Sequence, residues 1–173
     1  MPAERSCSPE KPCVFRKTAL RQTIVMTEDR YACIRLENQL CFPLYACAKE
    51  VVRRYREPLE KLGLTYTQYV VMMAFWEYGG MTEKELGSIV RLDSGTLTPL
   101  LKRLEKLGLV TRSRQEHDER NLFVSLTEGG EALKEEAVKV PGKMAGCVNL
   151  PVDELIQLKQ LLDKALNRME EEK

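Results

Sequence analysis

The chain has almost no excess charge: 27 lysines and arginines against 26 aspartates and glutamates leave +1 over 173 residues. Composition therefore does not announce a polyanion ligand, and any nucleic-acid surface must be sought in where the charges fall. Histidine is nearly absent, His117 being alone, and Cys7, Cys13, Cys33, Cys41, Cys47 and Cys147 form no C-x-x-C pair. Zinc needs clustered thiolate or imidazole ligands, so no metal site is expected, and no cofactor. Long apolar runs are missing as well; the stretch from Tyr69 to Trp76 is too short to span a bilayer. No segment joins a basic start, an apolar stretch and a small-residue cleavage site, which predicts a cytoplasmic protein without a membrane partner. In a reducing compartment six thiols are structural or redox-active rather than a disulfide framework.

What is present is helical periodicity. Residues 1–30 carry mixed charge and no sustained apolar period and are expected to be a flexible extension, with Met26 a plausible alternative start. Residues 31–173 are expected to form one domain. From Leu40 an apolar face recurs through Leu44, Ala48, Val51, Val52 and Tyr55, with Pro43 near the helix start and an end around Pro58. Thr65 can cap a helix over 66–78 that stops at Gly79-Gly80. Thr82 and Glu85 form a T-x-x-E capping box for a short third helix. A fourth helix is predicted over 96–107, with Leu97, Leu100, Leu101, Leu104 and Leu107 as its stripe. The period then switches to that of strands, with 110–114 and 122–126 flanking a polar tip at 115–120. A long helical region from Thr127 follows, predicted to break at Pro141-Gly142 and again near Pro151. The fold class is mainly α with a small β-hairpin wing: a winged helix-turn-helix flanked by N- and C-terminal helices. Their excess apolar faces predict burial against a second copy, and so a homodimer.

A recognition helix needs small polar and basic groups at its N-terminal end and outer face, where base edges lie in the major groove. Ser94, Thr96, Thr98, Pro99, Lys102 and Arg103 suit that face, and Lys102 and Lys106 would neutralise phosphates. The hairpin adds Arg112, Arg114 and Arg120, and an arginine at a wing tip suits a narrow, electronegative minor groove. Asp118 would shape the tip by pairing with a neighbouring arginine. Any one of these features alone is an ordinary solvated surface. Helix-turn-helix and basic hairpin in this order predict binding of double-stranded DNA.

Cys41 has the most suggestive setting among the thiols, near a helix start, where the helix dipole favours an ionised sulfur. Hydroxyls of Tyr55 or Tyr66 could donate to it if the fold brings them together. Buried, inert cysteine is nonetheless the commoner fate of this residue type, and local sequence leaves both readings open.

LENQLCFPLYA, TYTQY, LDSGTLTPLLKRLEKLGLVTRSR and DERNLFVSLTEGG together resemble the MarR family, and more narrowly its organic-hydroperoxide-sensing, OhrR-like branch. The similarity runs from about Leu36 to Pro141. By position, the resemblance puts the family's peroxidatic cysteine on Cys41 and its tyrosine partners on Tyr55 and Tyr66. It puts recognition-helix contacts on Ser94, Thr96 and Arg103, and the wing arginine on Arg120. It implies a dimeric repressor on a pseudo-palindromic operator, released when an organic hydroperoxide oxidises Cys41 to sulfenic acid. Some members carry a resolving cysteine on the C-terminal helix of the opposite subunit, and Cys147 lies in that region, one residue from the aligned position. Alternatives are a MarR-type regulator of another oxidant, a quinone or a noncovalent aromatic ligand, with Phe42, Tyr45 and Trp76 shaping the pocket. From other classes come a thiol peroxidase and an interaction module that has lost DNA binding. A regulator rather than an enzyme is the expectation.

Overall fold

The computed structural model describes residues 31–115, 118–144 and 146–171, with side chains outside 114–121. The described residues fall into two compact units divided between Cys47 and Ala48. The first holds two short 3-10 turns, Ala32–Ile34 and Leu36–Asn38, tied by Asn38 Nδ2 donating to the Ala32 carbonyl at 2.7 Å. Helix α1, Cys41–Glu60, begins there and crosses into the second unit. Pro43 sits in its first turn, where a missing N–H costs nothing. The helix does not end at Pro58 but runs to Glu60, because the fully buried Leu59 anchors its last turn.

The second unit is built on α2 (Tyr66–Tyr78), α3 (Glu83–Val90) and α4 (Ser94–Lys106). Each starts on a side chain that accepts from the N–H three residues on: Thr65 from Gln68, Thr82 from Glu85, Asp93 from Thr96. The first two are complete capping boxes. Because Asp93 is the cap, α4 begins at Ser94, two residues before the expected start. Leu97, Leu100, Leu101 and Leu104 turn inward onto Val71, Met72, Phe75 and Leu86 in one core, whereas Leu107, expected on the same stripe, is the C-cap beyond the helix end and is exposed.

Strands β2 (Val110–Gln115) and β3 (Asp118–Leu126) form the predicted hairpin, with Val110 opposite Leu126 and Arg112 opposite Val124. A two-residue strand β1, Met81–Thr82, pairs antiparallel with β3 on its other edge, giving the order β1-β3-β2. Nothing in the period announced it.

The C-terminal region differs from expectation in where it breaks. Helix α5 (Glu128–Ala137) ends before α6 (Lys139–Met144), and Pro141 and Gly142 lie inside α6. Pro141 has no N–H for the carbonyl four residues back, that of Ala137, so α5 stops there. Pro141 then occupies the first turn of α6, where proline is tolerated. Helix α7, Val152–Glu171, follows Pro151 and buries none of its residues within the chain. Among the described residues no helix is long and apolar enough to cross a membrane.

Gly130 sets the closest approach in this unit. A Cβ there would run into the Leu109 carbonyl oxygen, while its own carbonyl accepts from Trp76 Nε1 at 2.9 Å. Gly130→Ala is expected to destabilise the fold by about 2 kcal/mol or more through this overpacking, read as a lower urea midpoint; an unchanged midpoint would show that α5 can shift freely.

Candidate nucleic-acid interface and sensing thiol

With its leucines inward, α4 presents Ser94, Thr96, Pro99, Lys102, Arg103 and Lys106 outward, all exposed. Among the described residues Lys102, Arg103 and Lys106 make no ion pair with any carboxylate, so three cations lie free along one face. Thr96 is oriented before any ligand arrives: its N–H donates to Asp93 Oδ1 at 2.9 Å and its hydroxyl to Oδ2 at 3.0 Å. These bonds hold the Asp93 carboxyl below the usual range, the Thr96 N–H contributing most.

Two expected DNA contacts are engaged within the protein. Thr98 is half-buried and its hydroxyl donates to the Glu83 carboxylate at the start of α3. Arg112 donates to Glu105 of α4 through Nε at 2.9 Å and Nη2 at 2.7 Å. Side chains of Arg114, Asp118 and Arg120 lie outside those described, so the reading of the wing tip stays with the sequence.

Cys41 occupies the first turn of α1, in the first unit, and its thiol is exposed. In the second unit Tyr55 and Tyr66 meet edge-on, ring centroids 5.0 Å apart. Two further rings extend that pair, neither singled out by sequence as a partner of it. Tyr69 lies 6.1 Å from Tyr55, and Trp76 lies 6.3 Å from Tyr69. Spacing along α2 could have found them, since positions 66, 69 and 76 share one face. Burial raises the Tyr55 hydroxyl's pKa above its ordinary value, with Tyr66, Tyr69 and Cys147 adding to the shift. Its phenol therefore stays a donor at neutral pH.

Cys147 does not lie on a helix; it sits half-buried in the turn between α6 and α7. The turn is held beside α1 by Arg54, whose Nη1 donates to the Cys147 carbonyl at 2.9 Å. The possible resolving thiol and the tyrosine pair thus belong to one neighbourhood, with Cys147 close enough to Tyr55 to influence its charge. Cys33 and Cys47 are exposed.

The chain is 47% identical over 135 residues to the organic hydroperoxide resistance transcriptional regulator of Bacillus subtilis, covering 78% of this chain and 92% of that protein. The chain belongs to the MarR family, on its OhrR-like branch. Residues 53–137 also match the family described as transcriptional regulator SarA/Rot. Among solved structures, reduced AbfR bound to DNA is similar at 37% identity and a TM-score of 0.66, over 79% of this chain and 94% of that one; AbfR is a protein of Staphylococcus epidermidis. Wild-type MarR of E. coli in its apo form is similar at 30% identity and a TM-score of 0.60, over 74% and 97%. The fold is the MarR-type winged helix.

In this MarR-type chain Asp93 caps the helix that faces outward with its cations. Its depressed carboxyl contributes stability that is complete above the unfolded value of about 4 and is lost as pH falls through the lower folded value. Asp93→Ala is therefore expected to lower the thermal midpoint at pH 7, with the gap to wild type closing as pH falls below 4. Asp93→Asn, which keeps an accepting oxygen, should retain most of the midpoint. Equal midpoints for wild type and Asp93→Ala at pH 7 would remove the cap from the account.

Proposed function

We propose that the chain is a dimeric DNA-binding repressor whose operator affinity is switched by oxidation of Cys41 by an organic hydroperoxide. One observation carries the DNA reading: α4 buries its leucines and leaves Ser94, Thr96, Pro99, Lys102, Arg103 and Lys106 together on an exposed face. Ser94, Thr96 and Arg103 read base edges or adjacent backbone in the major groove, Lys102 and Lys106 neutralise phosphates, and Pro99 adds apolar contact. Arg114 and Arg120 belong to the wing, with Arg120 entering the minor groove and Asp118 fixing the tip. Dimerisation is supported by α7, whose Val152, Ile156, Leu161, Leu162, Leu166 and Met169 are exposed in the single chain. Two recognition helices related by a twofold axis then address a pseudo-palindromic operator in the cytoplasm.

The Cys41 thiolate attacks the terminal oxygen of the hydroperoxide, taking up that oxygen as sulfenic acid and releasing the alcohol once a proton is supplied. Tyr55 and Tyr66 hold the sulfur by hydrogen bonds before oxidation. Cys147 of the opposite subunit then attacks the sulfenic sulfur, forming a disulfide and water. Within one chain Cys147 neighbours Tyr55, which supports this order when the tyrosines and the resolving thiol both belong to the subunit opposite the attacking Cys41. The relative AbfR has been solved reduced on DNA and in a disulfide form, which supports a redox switch on this fold. Consumption stops at one hydroperoxide per subunit, as a sensor and not a turnover peroxidase requires.

The test is binding to DNA upstream of the protein's own gene, with and without cumene hydroperoxide. Wild type should bind and release, whereas Cys41→Ser should bind within about twofold of wild type, well under the tenfold of 1.4 kcal/mol, and not release; release by Cys41→Ser would sink the sensor assignment. Arg120→Ala should weaken binding and lower the dependence of log affinity on log salt by about two for the dimer, or about one per subunit. Unchanged affinity would take the wing out of the interface.

A further inference from the structure

A winged helix touches one duplex at two places, so the angle between recognition helix and wing must be set before DNA arrives. Here the link between them is short. Helix α4 ends at Lys106, Gly108 turns the chain at φ +72°, and β2 starts at Val110. Across that turn the Arg112 Nε and Nη2 both converge on Oε2 of Glu105, at 2.9 and 2.7 Å. The Arg112 side chain is only 18% exposed, and Glu105 is 39% exposed.

The strand register explains why Arg112 is covered. It lies opposite Val124 in the antiparallel pairing and two residues beyond Val110, and both valines are fully buried. Directly paired residues, and residues two apart, share a face of a sheet. Arg112 is thus on the inner face of the hairpin, while Thr111 and Ser125 meet by their hydroxyls at 3.0 Å on the other face. Glu105 occupies the Nε and Nη2 edge of this guanidinium, and its carboxyl is held below its ordinary range by Arg112, so only the small exposed remainder of the side chain faces solvent.

We propose that Arg112 and Glu105 are positioning residues: their ion pair locks the wing to the recognition helix and sets the geometry in which both meet DNA, and Arg112 is not itself a phosphate contact. The inference rests on the DNA-binding reading above for its functional consequence, and on the free protein for its mechanical one.

The two roles predict opposite signs. A phosphate-binding Arg112 would, on replacement by alanine in both subunits of the dimer, lower the salt slope by about 1.8, or about 0.9 per subunit. Glu105→Ala would then tighten binding, because an anion is removed from the DNA side. A positioning pair predicts that Glu105→Ala and Arg112→Ala each weaken operator binding by about tenfold with the salt slope unchanged. The exchanged pair Glu105→Arg with Arg112→Glu should recover most of the loss, and Arg112→Lys part of it. Alanine is the best helix former, so α4 itself should persist in Glu105→Ala. Amide hydrogen exchange on the free protein should show faster exchange over residues 110–126 in Glu105→Ala, with α2 unchanged. If wild type binds no operator, the functional reading fails, and the exchange result still decides the mechanical claim. Tighter binding by Glu105→Ala, a lowered slope for Arg112→Ala, or unaltered exchange in the hairpin would overturn the proposal.

Discussion

Leu97, Leu100, Leu101 and Leu104 are packed so completely into the core that α4 has no freedom to turn about its own axis. Each buried leucine contributes about 1.5–3 kcal/mol, and rolling α4 by one residue, roughly 100°, would carry Lys102 or Arg103 toward the interior. Burial of an unpaired cation is far more costly than the loss of any outward contact. The inward stripe therefore decides which residues face out, and the free cationic face is a consequence of the core. The same stripe brings α4 against α3 and β2, so the hairpin takes its starting direction from the buried leucines as well.

A second regularity comes from the helix starts. Thr65, Thr82, Asp93 and Thr127 solve one problem in the same way, each oxygen accepting from the N–H three residues later. The first N–H groups of a helix have no partner within the helix and are satisfied by a capping side chain or by water. At Asp93 the solution has a further effect, since the second carboxylate oxygen holds the Thr96 hydroxyl. Capping and orientation of the Thr96 hydroxyl are thus one arrangement, and α4 gains order at the end that the proposed DNA contact uses. Thr127 has a double role too, because its hydroxyl donates to the Gly108 carbonyl at 2.5 Å while accepting from Gly130.

Features with a local period or a local cap were legible in the sequence. The α2 and α3 boundaries, the leucine stripe and the hairpin all announce themselves within a few residues of chain. What escaped depends on contacts between distant or unlike elements. Strand β1 has two residues, too few for alternation to register, and exists because β3 offers an edge to Met81 and Thr82. The start of α4 at Ser94 follows from the Asp93 carboxylate reaching the Thr96 N–H, a contact that the apolar period beginning at Leu97 does not mark. Arg112 read as a free cation because its partner is on a helix and it is on a strand, and no single period joins the two. Cys147 meets α1 across 93 residues of chain, where only resemblance could have suggested a relation. Identity of the thiol chemistry was likewise carried by resemblance, since Cys41 has no neighbour in the sequence that marks it as reactive.

Contacts in the second unit run without a gap from the tyrosine pair to the root of the wing. Tyr55 packs on Tyr69 and Tyr69 on Trp76. The Trp76 indole donates to the Gly130 carbonyl, and Lys134 returns a bond to the Trp76 carbonyl at 3.2 Å. Gly130 is held by Thr127, which is bonded to Gly108 and Leu109 in the turn between α4 and β2. Contiguity alone does not transmit a signal; a rigid element with two packed arrangements does. Tyr66, Tyr55, Tyr69 and Trp76 are one packed group, with ring centroids 5.0, 6.1 and 6.3 Å apart in succession. In the proposed switch, a second packing of Tyr55 against Tyr69 would reach Trp76 and α5, and the Thr127 bonds would extend it to the turn whose angle the Glu105–Arg112 pair also holds.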